Sequence, residues 1–238
     1  MSRIHSWPPP SKTSGCSMTL RGDFHMHTHF SHDCLTTPEA LVERCLRVGL
    51  NCIAVTDHNS LEGGRTVKTL APFTVIVGAE IKSTAGEITG LFLQEDVPAG
   101  LEPVETARRI KEQGALVSVP HPFTGMGRSA LDRATAADLL PYIDIVEGFN
   151  ARTMRASDNA EARRFAAEHG FPVTAVSDAH TTRELGRTFT EFPEFDGTPE
   201  GFRRALAEAV LTETPAGSFV HVYTTLNKLV RRVRKPRV

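Results

Sequence analysis

Metal chelation is the chemistry that the histidines and carboxylates of this 238-residue chain could do together. The chain has ten histidines, and six of them, His25, His27, His32, His58, His121 and His180, fall at or just past the C-terminal ends of stretches that read as strands. That is where α/β folds place their active sites. In Asp23-Phe24-His25-Met26-His27 the imidazoles are two residues apart. Extended backbone of period two would turn both to one face and Phe24 and Met26 to the other. Such a pair can chelate one cation, and a structural pair of histidines would look the same. Further apolar stretches end in Asp57-His58, Glu80, His121 and Asp178-Ala179-His180. Packing is a poor explanation for four such strand ends, because buried charges need partners and divalent cations supply them. The inventory exceeds what one four-coordinate zinc requires, which implies two or three metals. Mixed imidazole and carboxylate donors suit Zn, Mn or Fe better than Mg.

The elements that must carry these residues alternate along the chain. Residues 51–56 (NCIAVT), 74–79 (TVIVGA), 87–93 (EITGLFL), 115–119 (ALVSV), 143–146 (IDIV) and 172–176 (PVTAV) are strand-length and rich in β-branched residues. Between them lie helical patterns. Residues 38–48 open with Thr37 as N-cap and Pro38 at the first helical position, and stop at Gly49; 102–113 and 155–169 are likewise followed by Gly114 and Gly170. The alternation implies parallel strands with crossover helices, about seven strands in all, in an open doubly wound sheet or a closed barrel. No GxGxxG or GxxxxGKS loop follows a strand, so nucleotide-fold readings lose their main support. Residues 1–18, with their Pro triplet, read as a flexible leader, 19–220 as a single domain, and 221–238 as an amphipathic helix with a basic tail.

Hydrophobic residues make up 40% and charged residues 23%, the balance of a soluble globular protein. A net charge of -1 argues against a grip on long duplex nucleic acid, which usually leaves a basic footprint over a whole face. The basic run from Lys228 to Arg237 is the exception, and reads as a solvated helix end. Cys16, Cys34, Cys45 and Cys52 form no CxxC pair, and no signal peptide or membrane-spanning run is visible, so a reduced cytoplasmic setting is expected.

Taken in order, HxH at His25 and His27, Asp57-His58, Glu80, Pro120-His121-Pro122 and DxH at Asp178 and His180 make the chain resemble the PHP (polymerase and histidinol phosphatase) domain family over residues 20 to 189. The resemblance implies a distorted seven-stranded (β/α) barrel, TIM-like, with a trinuclear metal centre that hydrolyses phosphate esters. It makes His25, His27, His58, Glu80, His121, Asp178 and His180 metal ligands. Two places depart from the commoner family pattern. Ser31-His32-Asp33 stands where many relatives have Ser-Asp-Gly, so His32 takes the ligand place with Asp33 as the alternative, and Glu87 stands where many have histidine. Asn150 occupies a place from which relatives present a polar side chain to the pocket, and an ordinary turn would also account for it.

The expected chemistry is hydrolysis of the phosphate ester of a small molecule or short nucleotide by a metal-activated hydroxide. Asp57 and Asp23 could orient an imidazole or move a proton. Arg152, Arg183 and Arg187 are the candidates for holding phosphate, with Lys82 a weaker one and Asn150 a further substrate contact. His29 is expected behind the ligands or against substrate. An amidohydrolase-like hydrolase is the rival enzyme, but it would usually bridge its metals with a strand-end lysine, and no lysine ends a strand here. A non-catalytic, metal-stabilised binding module is the rival of another class.

Overall fold

The computed structural model describes residues 19–124, 130–217, 220, 224, 225, 227 and 228. The expected leader and most of the basic tail lie outside these residues. Strands β1 (Thr19–Asp23), β2 (Cys52–Val55), β3 (Thr74–Ser83), β4 (Gly86–Leu91), β5 (Leu116–Val119), β6 (Ile143–Asn150), β7 (Val173–Val176), β8 (Phe189–Pro193) and β9 (Val210–Thr212) form one sheet in the order β7-β6-β5-β4-β3-β2-β1-β8-β9. Helices α1 (Pro38–Val48), α2 (Glu62–Leu70), α3 (Pro103–Glu112), α4 (Arg133–Asp138), α5 (Ala156–His169) and α6 (Pro199–Ala205) pack around it. The result is an α/β single domain with a nearly closed, barrel-shaped sheet.

Local chemistry sets the helix ends. The Thr37 side chain accepts from Ala40 N, Pro38 sits in the first turn of α1, and Gly49 closes the helix at φ 77, a left-handed conformation that costs glycine little. Gly170 ends α5 in the same way at φ 73. Strand direction is less uniform than simple alternation predicts. β1, β2 and β3 run parallel, as do β5, β6 and β7, but β4 is antiparallel to both neighbours. Only Thr84 and Ala85 separate β3 from β4, too short for a parallel crossover, so the chain turns back as a hairpin.

The ends of the sheet meet in two places. At the C-terminal ends of the parallel strands, Met26 and Ala179 form a parallel bridge just beyond β1 and β7, with His27 N donating to Ala179 O at 2.9 Å. Within the strands, β8 pairs antiparallel with β1 and touches β7 through Thr190, whose Oγ1 accepts from Ala175 N at 2.9 Å and donates to Ala175 O at 3.1 Å. Phe24, Cys52, Ala54, Ile76, Leu91, Leu116, Ile145, Val176 and Phe192 form an inner cluster fed by nearly every strand, and separate clusters join the sheet to the surrounding helices. Phe24 departs from the expected alternation. It stacks edge-on to Phe192 and Phe202 in that inner cluster while Met26 packs with Leu41 and Cys45 of α1, because regular pairing stops at Asp23.

Thr190 carries a closure that the backbone ladder lacks. Thr190→Val keeps the shape and strips both hydrogen bonds, leaving a buried Ala175 N–H without a partner, so it is expected to cost about 1–3 kcal/mol. Urea unfolding of the two proteins checks this; equal midpoints would contradict the assigned role.

Candidate metal centre

The barrel brings the sequence-distant histidines together at the C-terminal ends of its parallel strands. His25 and His27 follow β1, His58 follows β2 and bridges to Glu80 within β3, His121 follows β5, and Asp178 and His180 follow β7. His121 at φ 28 and Asp178 at φ 53 adopt strained backbone conformations, which points their side chains into the mouth. All are buried or nearly so.

Four donor atoms make the tightest group. His25 Nε2 lies 3.1 Å from His27 Nε2, 3.5 Å from Glu80 Oε2 and 3.7 Å from Asp178 Oδ1. His27 Nε2 lies 3.6 Å from Glu80 Oε2 and 3.5 Å from Asp178 Oδ1. A tetrahedral cation with bonds of about 2.0–2.1 Å holds its donors about 3.3–3.4 Å apart, close to the separations of Glu80 and of Asp178 from the two imidazoles.

The outer sides of these imidazoles decide which way their lone pairs face. His25 Nδ1 is 2.6 Å from Glu147 Oε1, and His180 Nδ1 is 2.9 Å from Asp178 O; both partners only accept, so both Nδ1 atoms donate. Ser31 Oγ spends its one proton on Asp57 Oδ1 at 2.6 Å, so His27 Nδ1, 3.1 Å away, donates to it. His27 Nε2 is therefore an acceptor facing His25 Nε2, and at most one proton separates them. Burial alone would depress His25, but Glu147, Asp178 and Glu80 outweigh it and hold its pKa well above the ordinary value. His27 moves well below, through burial and the neighbouring His180 and His58. Burial would raise Glu80, but His25 and His58 hold it well below the usual carboxylate range. A divalent cation would replace that proton and satisfy all four donors at once.

Two further groups continue the same surface. His58 Nδ1 is 3.1 Å from Glu80 Oε2, while His121 Nε2 is 2.9 Å from Glu80 Oε1 and 3.7 Å from Glu87 Oε2. Burial and the adjacent Glu80 push Glu87 up to about 7. Asp33 lies between His58 Nε2 at 3.5 Å and His180 Nε2 at 3.3 Å. Here the geometry departs from the expectation for His32: its side chain is 64% exposed at the rim, whereas that of Asp33 is 5% exposed and faces the cluster. His32 still lies within reach of a shared cation with Asp33 and His58.

Several other expected residues sit elsewhere. Asp57 does not line the cavity; its carboxylate accepts from Thr28 N at 2.7 Å, Thr28 Oγ1 at 2.6 Å and Ser31 Oγ, and so holds the turn that orients His27. Gly63 makes that fit possible, since a Cβ there would meet Asp57 Oδ2 at 1.8 Å. Asp23 ties β1 to β7 by accepting from Ser177 N at 3.0 Å. Asn150 is also absent from the cavity wall: its Nδ2 donates to Glu147 Oε2 at 2.9 Å and to Asp178 Oδ2 at 3.3 Å, and its Oδ1 accepts from Arg152 N. Arg183 and Arg187 are exposed and line a separate small cavity, because Glu184 Oε2 accepts from His180 N, Thr181 N and Thr181 Oγ1 and turns the loop aside. His29 stacks on Phe30, away from the cavity wall. Arg152 alone of the three arginines reaches the cavity; it is buried, donating to Asp178 O at 3.3 Å and lying 3.5 Å from Glu184 Oε1. Lys82 also lines it.

Glu147 is the residue that sequence reasoning missed. Besides His25 Nδ1 it takes His121 N at 2.8 Å and Asn150 Nδ2, tying three strand ends to one carboxylate. The signal was a glutamate inside the apolar run of β6, which a buried strand tolerates only with partners.

Two outcomes follow from this wiring. Glu147→Gln should lower zinc affinity about 10–100-fold with little change in fold, as losses behind metal-bound histidines do; competition against a chromogenic chelator measures it, and unchanged affinity would contradict the role. Zinc uptake at neutral pH should release protons and tighten as pH rises, because a cation displaces the proton held at His25; calorimetry in buffers of different ionisation heat reads this directly.

The chain is similar to known proteins in sequence and in fold. Residues 23–120 match the PHP domain and residues 156–211 match a PHP-associated region. The chain is 39% identical over 145 residues to MJ1587, an uncharacterized protein of Methanocaldococcus jannaschii, in a match covering 56% of this chain and 82% of that protein. A two-domain protein of Bacteroides vulgatus containing a predicted PHP-like metal-dependent phosphoesterase superposes with a TM-score of 0.68 at 23% identity, over 89% of this chain and 70% of that one. Endonuclease Q, crystallised with a 27-mer duplex bearing an abasic lesion, superposes with a TM-score of 0.61 at 22% identity, over 80% of this chain and 57% of that one. On these matches, and with the motif residues gathered at one mouth, the chain belongs to the PHP family.

Proposed function

We infer that this protein is a metal-dependent phosphoesterase that hydrolyses the phosphate ester of a small molecule or short nucleotide at a centre of two or three divalent transition metals. The observation that carries the reading is the His25, His27, Glu80 and Asp178 cage, where two imidazole nitrogens face each other 3.1 Å apart with carboxylates on either side. We assign His25, His27 and Asp178 to one cation, Glu87 and His121 to a second, and Asp33, His58 and His180, with His32 at the edge, to a third. Glu80 sets Oε2 beside His25 and His27 and Oε1 beside His121, so its carboxylate could bridge two of these cations. An amidohydrolase-like site would use a lysine in that bridging place.

When bound, clustered divalent cations generate hydroxide at neutral pH and neutralise charge on the attacking and leaving oxygens of a displacement at phosphorus. The chain supplies the rest. Glu147 and the Asp57–Ser31 pair hold His25 and His27 in the tautomers that aim Nε2 inward, and Asn150 steadies Asp178. Arg152 and Lys82 add positive charge to a cavity of about 420 Å³, a size suited to a small phosphorylated ligand. Endonuclease Q holds duplex DNA on the same fold, so a net charge of -1 does not by itself remove a duplex from the substrates to test. No helix of the described residues is long and apolar enough to cross a membrane. The free, buried thiols Cys34, Cys45 and Cys52 fit a reduced, cytoplasmic compartment.

Metal-loaded protein assayed against phosphomonoesters, nucleotides, cyclic and diester substrates, and abasic duplex DNA tests the reading. Turnover of a small phosphate ester is expected, abolished by chelation and reduced more than about 100-fold in His25→Ala, beyond the cost of losing a supporting residue. Stable metal binding with no turnover across the panel would overturn it in favour of a binding module.

A further inference from the structure

Val220, Thr224, Thr225, Asn227 and Lys228 lie against the mouth of the metal centre, and no motif in the sequence assigns them there. Ala216 N donates to Ala151 O at 2.7 Å, and Arg152 Nη2 donates to Val220 O at 3.1 Å and to Thr224 Oγ1. Asn227 Nδ2 donates to Asp33 O at 3.2 Å. Val220, Thr224, Thr225, Asn227 and Lys228 have helical backbone, and the 220, 224, 228 spacing sets one face toward the cavity. Thr224, Thr225 and Lys228 line that cavity beside Asp33, His58 and Asp178. Lys228 Nζ lies 3.6 Å from Asp33 Oδ2, with its side chain 47% exposed. This ammonium therefore stands where the wall of metal-binding carboxylates gives way to solvent. Arg152, by contrast, is enclosed, and both of its Nη atoms are already committed to backbone and side-chain partners.

We propose that Thr224, Thr225 and Lys228 form a wall of the substrate site, in which Lys228 binds the dianionic end of a phosphomonoester and so favours terminal phosphates over internal diesters. The proposal rests on the phosphoesterase reading and gives it a substrate class. A phosphomonoester carries between about -1.5 and -2 charges at neutral pH, against one for a diester. The carboxylate-rich wall repels the extra charge, and a cation at the rim offsets that repulsion. A mobile lysine suits this place better than a fixed guanidinium fork, since its single charge can leave Asp33 and meet an incoming oxygen.

The test uses the full-length, metal-loaded protein and its Lys228→Met and Lys228→Arg variants, with inorganic phosphate at pH 8 and dimethyl phosphate as probes. Calorimetry should show phosphate bound about tenfold more weakly in Lys228→Met and largely restored in Lys228→Arg, one charge contact being worth roughly that factor near a surface. Dimethyl phosphate should change less than about twofold, and metal content should be equal in all three proteins. Equal weakening of both anions, no change in either, or no phosphate binding by the parent protein would overturn the proposal. Loss of metal in Lys228→Met would also overturn it, making the lysine a support for Asp33. Selective phosphate binding without hydrolysis of any ester would leave the anion site standing and defeat the phosphoesterase reading. Turnover of monoesters with an unchanged KM in Lys228→Met would do the reverse.

Discussion

The structure turns on an electrostatic conflict that it builds and does not resolve with protein groups alone. Glu147 and Ser31 take the outer nitrogens of His25 and His27, which leaves the inner nitrogens facing each other and the carboxylates of Glu80 and Asp178. Removing these groups from water is costly, and neither a single proton nor a rearranged hydrogen bond satisfies all of them. A divalent cation does. The opposed shifts of His25 and His27, one held up by acids and the other pressed down by burial and its neighbours, express the same frustration.

The barrel exists, in functional terms, to impose that conflict. Closure between Met26 and Ala179 sets the residues after β1 beside those after β7, so that His25 and His27 share one cage with Asp178 although about 150 residues apart in sequence. The bridge from His58 to Glu80 adds the next strand end, and Glu147 ties His25 to the backbone of His121 across the barrel mouth. Strain at His121 and Asp178 is tolerated because these contacts over-determine it. The apolar inner cluster below, capped by Phe24, Phe192 and Phe202, leaves the polar end as the open one.

Much of this was legible in the residues themselves. Thr37, Pro38 and Gly49 announce both ends of α1, and the strand-ending His, Asp and Glu residues mark the mouth because their types are out of place in an apolar run. What escaped was whatever depends on three-dimensional neighbours. Glu147 hides inside a strand, and only the approach of His25 and Asn150 reveals its work. The choice between His32 and Asp33 rests on which side chain a turn aims inward, and adjacent residues give no periodicity to decide it. Proximity in sequence misled for Arg183, which follows His180 but is carried off by the Glu184 turn. The β3–β4 hairpin and the strands β8 and β9 were hidden by reading every connection as a crossover.

Anomalous diffraction from crystals grown with zinc or manganese would show directly whether the His25, His27, Glu80 and Asp178 cage holds a cation. A strong peak bonded to His25, His27, Glu80 and Asp178 is expected, with at least one more within the reach of Glu80 toward His58 and His121. Full occupancy by water at that cage in metal-saturated crystals, or cations bound only at the protein surface, would contradict that expectation.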